Sequence, residues 1–282
     1  MQNHFEHCAA LVRAADRDRY LATLFAPGEQ RDALLSLYAF NVEIARVRDL
    51  ARGPIPGEIR LQWWREVLAG EREGEAAAHP VAAAMRETLE RYGMASDRLI
   101  ALIDARAFDL YDEPMATVTD LEIHGIRTQS ALFAMAAEML GAGGAPAELL
   151  TLDAGIAYTI AGLLHGLARH ASHRQLYVPL DVLDRHRVDR DEIFAGQTGE
   201  ALRAALGELR ALARRHLATA QAKLKSAPPE ILPALLPAAL IGPALRRMER
   251  PDYQPFQFEP ASPWRRQWQL WRAARDPSRI FK

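Results

Sequence analysis

The stretch RDRYLATLFAPGEQRDALLSLYAF, residues 17–40, is rich in alanine and leucine, and its apolar residues recur every three or four positions. This spacing places apolar side chains on one face of an α-helix. The same pattern continues on both sides of the stretch, and runs of β-branched residues are scarce. The sequence therefore predicts an all-α protein. The predicted helices lie at 3–26, 28–51, 58–70, 79–92, 96–110, 117–141, 146–171, 179–186, 198–225, 228–250 and 262–275.

Short turn sequences separate these helices, and none is long enough to link two domains. We therefore expect a single domain over residues 1–282. Strands do not alternate with helices in the pattern, which argues against a Rossmann fold or a TIM barrel. GAGG at 141–144 lies between two predicted helices and follows no strand, so it is interpreted as a helix cap rather than a phosphate loop.

Composition and charge exclude several classes of protein. Of the 282 residues, 49% are hydrophobic and 25% are charged, which allows a sizeable core and argues against disorder. Lys plus Arg (35) nearly balance Asp plus Glu (36), so no general attraction to nucleic acid is expected. The single cysteine, Cys8, suits a reducing compartment. We expect no secretory signal and no membrane-spanning segment, hence a cytoplasmic protein or one attached to a membrane surface.

The C-terminal segment, residues 261–282, is strongly basic. Trp264, Trp268 and Trp271 fall on one face of the helix predicted at about 262–275. Two interpretations are open: the tryptophans pack on the domain while the arginines face water, or the segment contacts a membrane interface or an acidic partner. The second interpretation assigns to this surface Trp264, Trp268, Trp271, Arg265 and Arg272.

Residue spacing alone predicts neither a metal site nor a catalytic site. Glu43 and Asp49 are six residues apart and do not share a helical face. His165, His170 and His173 are separated by five and three residues, which does not match the i, i+4 pair of a helical zinc site. The chain contains no G-x-S-x-G, CxxC, Walker or HExxH motif.

Four stretches carry a resemblance to a known family: residues 17–40 with Arg31 and Tyr38-Ala39-Phe40, LQWWREVLAG at 61–70, the region 104–141, and LYVPLDVL at 176–183. Here the chain resembles the squalene/phytoene synthases, which are helical head-to-head prenyl transferases. The resemblance implies one isoprenoid synthase-like helical bundle around a central cavity.

That family binds Mg²⁺ and substrate diphosphates with two aspartate-rich motifs on facing helices. Aligning this chain on Tyr38 places Ala45, Arg46 and Asp49 at the aspartates of the first motif. Aligning it on Leu-Tyr-x-Pro places Gly166 and His170 at those of the second. Only Asp49 of these five residues is a carboxylate.

The resemblance also implies residues that line the cavity. Thr159 and Gly162 share a helical face with Gly166 and His170, and His124 occupies the position of a family tyrosine. On its own pattern, His165 is expected to be buried and hydrogen-bonded, with a cavity role as the alternative. The cavity candidates are Arg31, Tyr38, Glu43, His124, Thr159, Gly162 and His165.

Loss of the carboxylates changes the electrostatics of such a site. Mg²⁺ prefers carboxylate and phosphate oxygens. Arg46 replaces an anion with a cation, and two unit charges about 4 Å apart interact by roughly 4 kcal/mol at an effective dielectric of about 20. We therefore expect no cofactor and no metal, with Mg²⁺ required only if the chain is an active prenyl transferase.

Within the family, NVEIARVRD, PGEIRLQWWRE and DLYDEPMATVTDLE resemble the subgroup of the mitochondrial assembly factor of respiratory complex I and its bacterial relatives. That resemblance implies a non-catalytic protein working with complex I subunits or assembly intermediates. It would lie on the inner membrane as a peripheral protein, on the matrix side in a eukaryote. Two alternatives stay open: an active prenyl transferase whose Arg46 and Arg48 hold phosphate directly, and a binding protein for a prenyl diphosphate or another lipid.

Overall fold

The computed structural model describes residues 4–51, 53–257 and 262–282. Over these ranges all regular secondary structure is helical and no strand occurs, so the all-α prediction is confirmed. The α-helices are α1 His4–Ala15, α2 Arg17–Thr23, α3 Gly28–Ala45, α4 Val47–Leu50, α5 Pro54–Leu68, α6 Glu73–Ala78, α7 Pro80–Tyr92, α8 Asp97–Ala107, α9 Val118–Gly125, α10 Ala131–Met139, α11 Ala145–His165, α12 Leu167–Ser172, α13 Leu180–His186, α14 Arg190–Phe194, α15 Glu200–Lys223, α16 Leu232–Leu235, α17 Ile241–Met248 and α18 Pro263–Arg275.

Several long predicted helices are interrupted. The predicted helix 3–26 breaks at Asp16, whose carboxylate accepts a hydrogen bond from the backbone N–H of Arg19 and so caps a new helix. The predicted helix 117–141 contains a π-helical turn, Ile126–Ser130. The predicted helix 228–250 is divided into short 3₁₀ and α segments, where prolines remove backbone donors. The short helices α6 and α14 were not predicted.

The helices group into two compact units. The first comprises Met1–Tyr111, Met135–Gly143 and Pro229–Ala234, and the second comprises Asp112–Ala134, Gly144–Pro228 and Leu235–Lys282. The single domain over 1–282 stays a prediction.

The first unit is built around α3, which packs against α1 and α7. Leu34, Leu37 and Phe40 of α3 are fully buried. The ring of Phe40 meets Trp64 of α5 edge-on, with 5.1 Å between ring centroids. These contacts fix α3 in the core of the first unit, and the first motif is predicted at the C-terminal end of this helix.

The second unit is built around α11, which packs along α15 and against the π-helical turn. Gly155 faces Ser130 so closely that a Cβ built there would overlap the backbone of Ser130. The Ser130 hydroxyl donates to the carbonyl of Leu152 at 2.7 Å. Glycine therefore permits a direct contact between the two backbones, as small residues do at helix crossings.

A partly buried charged cluster joins α9, α11 and α15. Asp153 is 5% exposed and accepts from Lys223 Nζ at 2.5 Å. The Nδ1 atom of His216 lies 2.7 Å from Asp153 Oδ1, and its Nε2 atom lies 3.0 Å from Glu122 Oε1. A buried carboxylate needs several partners that compensate its charge, and His216 and Lys223 provide them for Asp153. The same contacts hold α11 in position.

Two segments, Ala145–His165 and Pro229–Met248, are long and apolar enough to cross a membrane by length and composition. In each, 67% of the most apolar window is buried inside the protein. Burial of this kind is typical of core helices.

The crossing at Gly155 gives a stability test. We expect Gly155→Ala to lower the free energy of unfolding by about 2 kcal/mol or more, because the added methyl group overpacks the contact with Ser130. Urea unfolding followed by circular dichroism measures this change.

Gly162→Ala on the same helix is the matched control, since a Cβ there meets nothing within 4 Å. We expect it to leave stability unchanged or raise it by up to about 1 kcal/mol. Equal effects of the two substitutions would contradict the proposed contact.

Candidate functional site

The residues predicted at the first motif lie where α3 ends. Arg46 forms the junction between α3 and α4, with φ −95° and ψ 1°. Its N–H still donates to Val42 O at 3.2 Å, and its carbonyl accepts from Leu50 N at 3.1 Å. The chain therefore keeps a near-helical path, so Ala45 and Asp49 lie one turn apart on the same side. Ala45 is half-buried, whereas Arg46 and Asp49 are exposed.

Arg48 is held by backbone carbonyls close to this segment. Its Nη1 donates to the carbonyl oxygens of Asp109 at 2.9 Å and Tyr111 at 3.2 Å. These bonds occupy one of the three guanidinium nitrogens of Arg48, so they reduce the number of donors left for a phosphate.

The donor atoms in the first segment do not fit a Mg²⁺ ion. Asp49 supplies the one side-chain carboxylate of the three predicted positions, Ala45 supplies a methyl group, and Arg46 supplies an exposed guanidinium. Mg²⁺ needs near-octahedral oxygen coordination and is repelled by an adjacent cation.

Tyr38 lies deeper in α3 and is 1% exposed. Its hydroxyl has no hydrogen-bond partner among the described residues, and the Arg19 guanidinium carbon lies 5.4 Å from the ring centroid. Burial raises the pKa of Tyr38 to about 12, against the opposing effect of the Arg19 charge. Tyr38 is therefore a neutral phenol at physiological pH.

Two further predicted cavity residues belong to the first unit. Arg31 donates to the carbonyls of Thr23, Leu24 and Ala26 at 3.3 to 3.4 Å, so it caps the end of α2. Glu43 is half-buried. Burial lowers the pKa of His79, and the Glu43 charge partly offsets that effect.

The residues predicted at the second motif lie at the junction of α11 and α12. Gly166 separates the two helices with φ −84° and ψ 2°. Its N–H donates to Gly162 O at 2.9 Å, and His170 N donates to Gly166 O at 2.9 Å. The i→i−4 pattern thus continues through the break, and Gly162, Gly166 and His170 follow one another on one side of the helix.

The imidazole ring of His170 packs against Gly166. His170 is 7% exposed, and its Nε2 lies 3.4 Å from Nη2 of Arg169. A Cβ built on Gly166 would lie 2.7 Å from His170 Cε1. The imidazole therefore occupies the space that a side chain at position 166 would need.

Thr159 lies further back along α11 and is 7% exposed. Its hydroxyl has no hydrogen-bond partner among the described residues, and a Cβ built on Gly125 would lie 3.2 Å from this oxygen. Gly162, by contrast, is exposed. On the face predicted to line the cavity, Thr159 is therefore covered by neighbouring residues, whereas Gly162 is exposed to solvent.

Tyr177 connects two of the predicted histidines and was missed as a site residue. Its ring centroid lies 4.8 Å from that of His170 and 6.3 Å from that of His124. Gln175 Nε2 donates to its hydroxyl at 3.3 Å. Tyr177 falls within the LYVPLDVL stretch, so its position seven residues after His170 was the available signal.

The position of His165 differs from the predicted one. It is exposed at the end of α11, so the prediction of a buried histidine is wrong. Partial desolvation of the imidazole ring lowers the pKa of His165, and the positive charge of Arg247 lowers it further. Gly162 and Arg169, three residues before and four residues after His165, are also exposed, so His165 lies on a solvent-facing side of this helical segment.

A small pocket lies beside His170 and Tyr177. Its volume is about 10 Å³, near the lower limit for one water molecule and far below the ~300 Å³ of common small-molecule sites. Its lining is aliphatic apart from these two rings: Leu121, Ile160, Leu163, Leu164, Leu167, Val178 and Leu209. This pocket does not accommodate a prenyl chain.

No group of three or more His, Cys, Asp or Glu side chains converges in a metal-binding arrangement anywhere in the ranges 4–51, 53–257 and 262–282.

The sequence of this chain is similar to a known protein family and to two kinds of characterised relative. The sequence pattern of the squalene/phytoene synthases matches residues 12–272. A rat relative, "NADH dehydrogenase (ubiquinone) complex I, assembly factor 6", is 28% identical over 250 residues, covering 89% of this chain and 75% of the relative. The phytoene synthase of Thermus thermophilus is 26% identical over 224 residues, covering 77% of this chain and 75% of the relative.

The fold agrees with the sequence match. The crystal structure of a dehydrosqualene synthase in complex with a ligand superposes with a TM-score of 0.80 at 16% identity, covering 98% of this chain and 96% of the other. This similarity shows the shared fold, and the match over residues 12–272 shows that the chain belongs to the squalene/phytoene synthase family.

Proposed function

We propose that this protein is a non-catalytic member of its family that assists the assembly of respiratory complex I. The observation that carries the proposal is the donor chemistry at the five predicted motif positions, of which only Asp49 offers a carboxylate. The proposal also rests on the similarity to relatives named as complex I assembly factors, which extends over 89% of the chain.

Percentage identity does not separate the two classes of relative. The assembly factor from rat is 28% identical and the phytoene synthase from Thermus thermophilus is 26% identical. The longer aligned region favours the assembly factors, but function follows the residues of a site rather than the fold. The discriminating feature is therefore the set of donor atoms.

Electrostatics argue against diphosphate activation at these residues. A departing diphosphate is stabilised chiefly by preorganised positive charge, which in this family the metal ions supply. One carboxylate beside the Arg46 guanidinium does not provide the coordination that a divalent cation requires. In the second segment, Gly166 and His170 offer a hydrogen atom and a packed imidazole in place of two carboxylates.

The alternatives in which the chain handles a prenyl substrate receive less support. Direct phosphate binding by Arg46 and Arg48 is weakened because Arg48 already donates to two backbone carbonyls. Storage of a prenyl chain beside His170 is opposed by the volume of that pocket, about 10 Å³. Neither alternative accounts for the similarity to assembly factors.

Deletion of the gene tests the assembly role. We expect loss of assembled complex I on native gels and loss of NADH:ubiquinone oxidoreductase activity in membranes, both restored by a plasmid-borne copy. Because Asp49 has no metal to bind in this account, Asp49→Ala should restore complex I as well as the wild-type chain does. Unchanged complex I after deletion would contradict the proposal, and failure of a stably folded Asp49→Ala variant would contradict its non-catalytic half.

Rebuilding the first motif tests the metal argument. We expect Ala45→Asp combined with Arg46→Asp to bind Mn²⁺ at least tenfold more tightly than the wild-type chain, because two carboxylates join Asp49 and a repulsive charge is removed. Electron paramagnetic resonance of free Mn²⁺ measures the affinity.

The matched control is Ala218→Asp combined with Arg215→Asp on α15, where both residues are exposed and the change in charge is the same. We expect no gain in Mn²⁺ affinity from the control. Equal affinity of the wild-type chain and the rebuilt variant would show that the missing carboxylates do not limit metal binding.

A further inference from the structure

Helix α18 turns three tryptophans away from the protein. The exposed fractions of Trp264, Trp268 and Trp271 are 79%, 55% and 37%, whereas Leu270 and Ala273 are each 1% exposed. At about 100° per residue, the tryptophans share one face of the helix and the two buried residues lie on the opposite face. The alternative in which the tryptophans pack on the domain is therefore wrong.

The helix is nevertheless firmly attached to the second unit. It packs against the 3₁₀ segment Leu236–Leu240, and its buried side is apolar. Because α18 is already packed through that side, the tryptophan face is not needed to fold the unit. A water-exposed stripe of three large aromatic residues on a folded protein usually marks an interaction surface.

The exposed rings are ordered with respect to one another. Trp268 and Trp271 stack with 4.9 Å between centroids and 17° between planes. The Arg275 guanidinium carbon lies 4.5 Å from the centroid of Trp271. The face thus presents a preformed aromatic ridge with a cation at its C-terminal end.

Charge around the ridge is strongly positive. The acid Asp276 accepts a hydrogen bond from Arg279 Nε at 2.8 Å and neutralises one of these positive charges. Because the whole chain has a net charge of −1, the positive potential is local to this end of the chain. The exposed basic residues are Arg265, Arg272, Arg275, Arg279 and Lys282.

We propose that this tryptophan ridge, with its arginines, binds the surface of a lipid bilayer that contains anionic phospholipids. Tryptophan is the residue best suited to the boundary between headgroups and acyl chains, since its indole is apolar with one polar N–H. Arginine and lysine add attraction to anionic headgroups. A helix with one aromatic face and little overall hydrophobicity lies in the interface plane and does not cross it.

Bilayer binding by α18 stands apart from the assembly role. It uses none of the residues predicted at the motifs, and a protein without that role would bind vesicles equally well. Its failure would leave the gene-deletion result unaffected, so the two proposals are tested separately.

The test is sedimentation of the full chain with sucrose-loaded vesicles of phosphatidylcholine containing about 30% phosphatidylglycerol, and with vesicles of phosphatidylcholine alone. We expect binding to the anionic vesicles, a blue shift of tryptophan fluorescence on binding, and release by salt. Trp264→Ser with Trp268→Ser should weaken binding roughly tenfold or more. Arg265→Glu with Arg272→Glu should weaken it by roughly twentyfold or more, since each basic residue contributes about fivefold.

Two control variants introduce the same kinds of substitution, apolar to serine and basic to glutamate, on surfaces away from α18. Ile55→Ser with Ile59→Ser removes exposed apolar side chains from α5, where the two residues are 75% and 67% exposed. Arg215→Glu with Lys225→Glu reverses two exposed charges in the second unit. We expect both controls to bind vesicles as the wild-type chain does.

Failure of the wild-type chain to sediment with anionic vesicles would overturn the proposal. The same holds if the α18 variants and the controls bind equally well. Retention of the chain by an acidic protein without any binding to vesicles would assign the ridge to a protein partner and would also overturn it. Circular dichroism of each variant verifies that the fold is intact.

Discussion

The contact between Gly155 and Ser130 sets the position of α11, and much of the second unit depends on that helix. Because glycine lets the two backbones meet, α11 can lie against the π-helical turn while Asp153, two residues before Gly155, joins His216 and Lys223. The same helix then leads through Thr159 and Gly162 to Gly166 and His170. Packing at the middle of α11 thus fixes the helix whose C-terminal end leads to the residues of the second predicted motif.

Given that scaffold, the chemistry at the motif positions decides between an enzyme and a non-catalytic relative. A family fold alone supports either, since catalysis depends on donor atoms rather than on helices. Here the helical register is preserved at both segments, as the hydrogen bonds of Arg46 and Gly166 show. The side chains at the predicted positions are a methyl group, a guanidinium and one carboxylate at the first segment, and a glycine with a packed imidazole at the second.

The sequence predicted the all-α class, the family and the shared face of Gly162, Gly166 and His170, because apolar spacing and local motifs carry that information. It predicted neither the break at Gly166, since one glycine in a helical pattern is usually tolerated, nor the exposure of His165. The placement of Tyr177 between His124 and His170, and the burial of Asp153 with His216, depend on contacts between distant segments. Spacing along one helix contains no signal for such contacts.

Pyrophosphate release by the purified chain with farnesyl or geranylgeranyl diphosphate, with and without Mg²⁺ or Mn²⁺, is the most direct test of a non-catalytic role. Mass spectrometry of the extracted lipids would identify any product. We expect no release above a heat-denatured control under any of these conditions, with the fold intact by circular dichroism. Metal-dependent release accompanied by a coupled prenyl product would contradict this expectation, and would show that other residues of this chain hold the metal and the diphosphate.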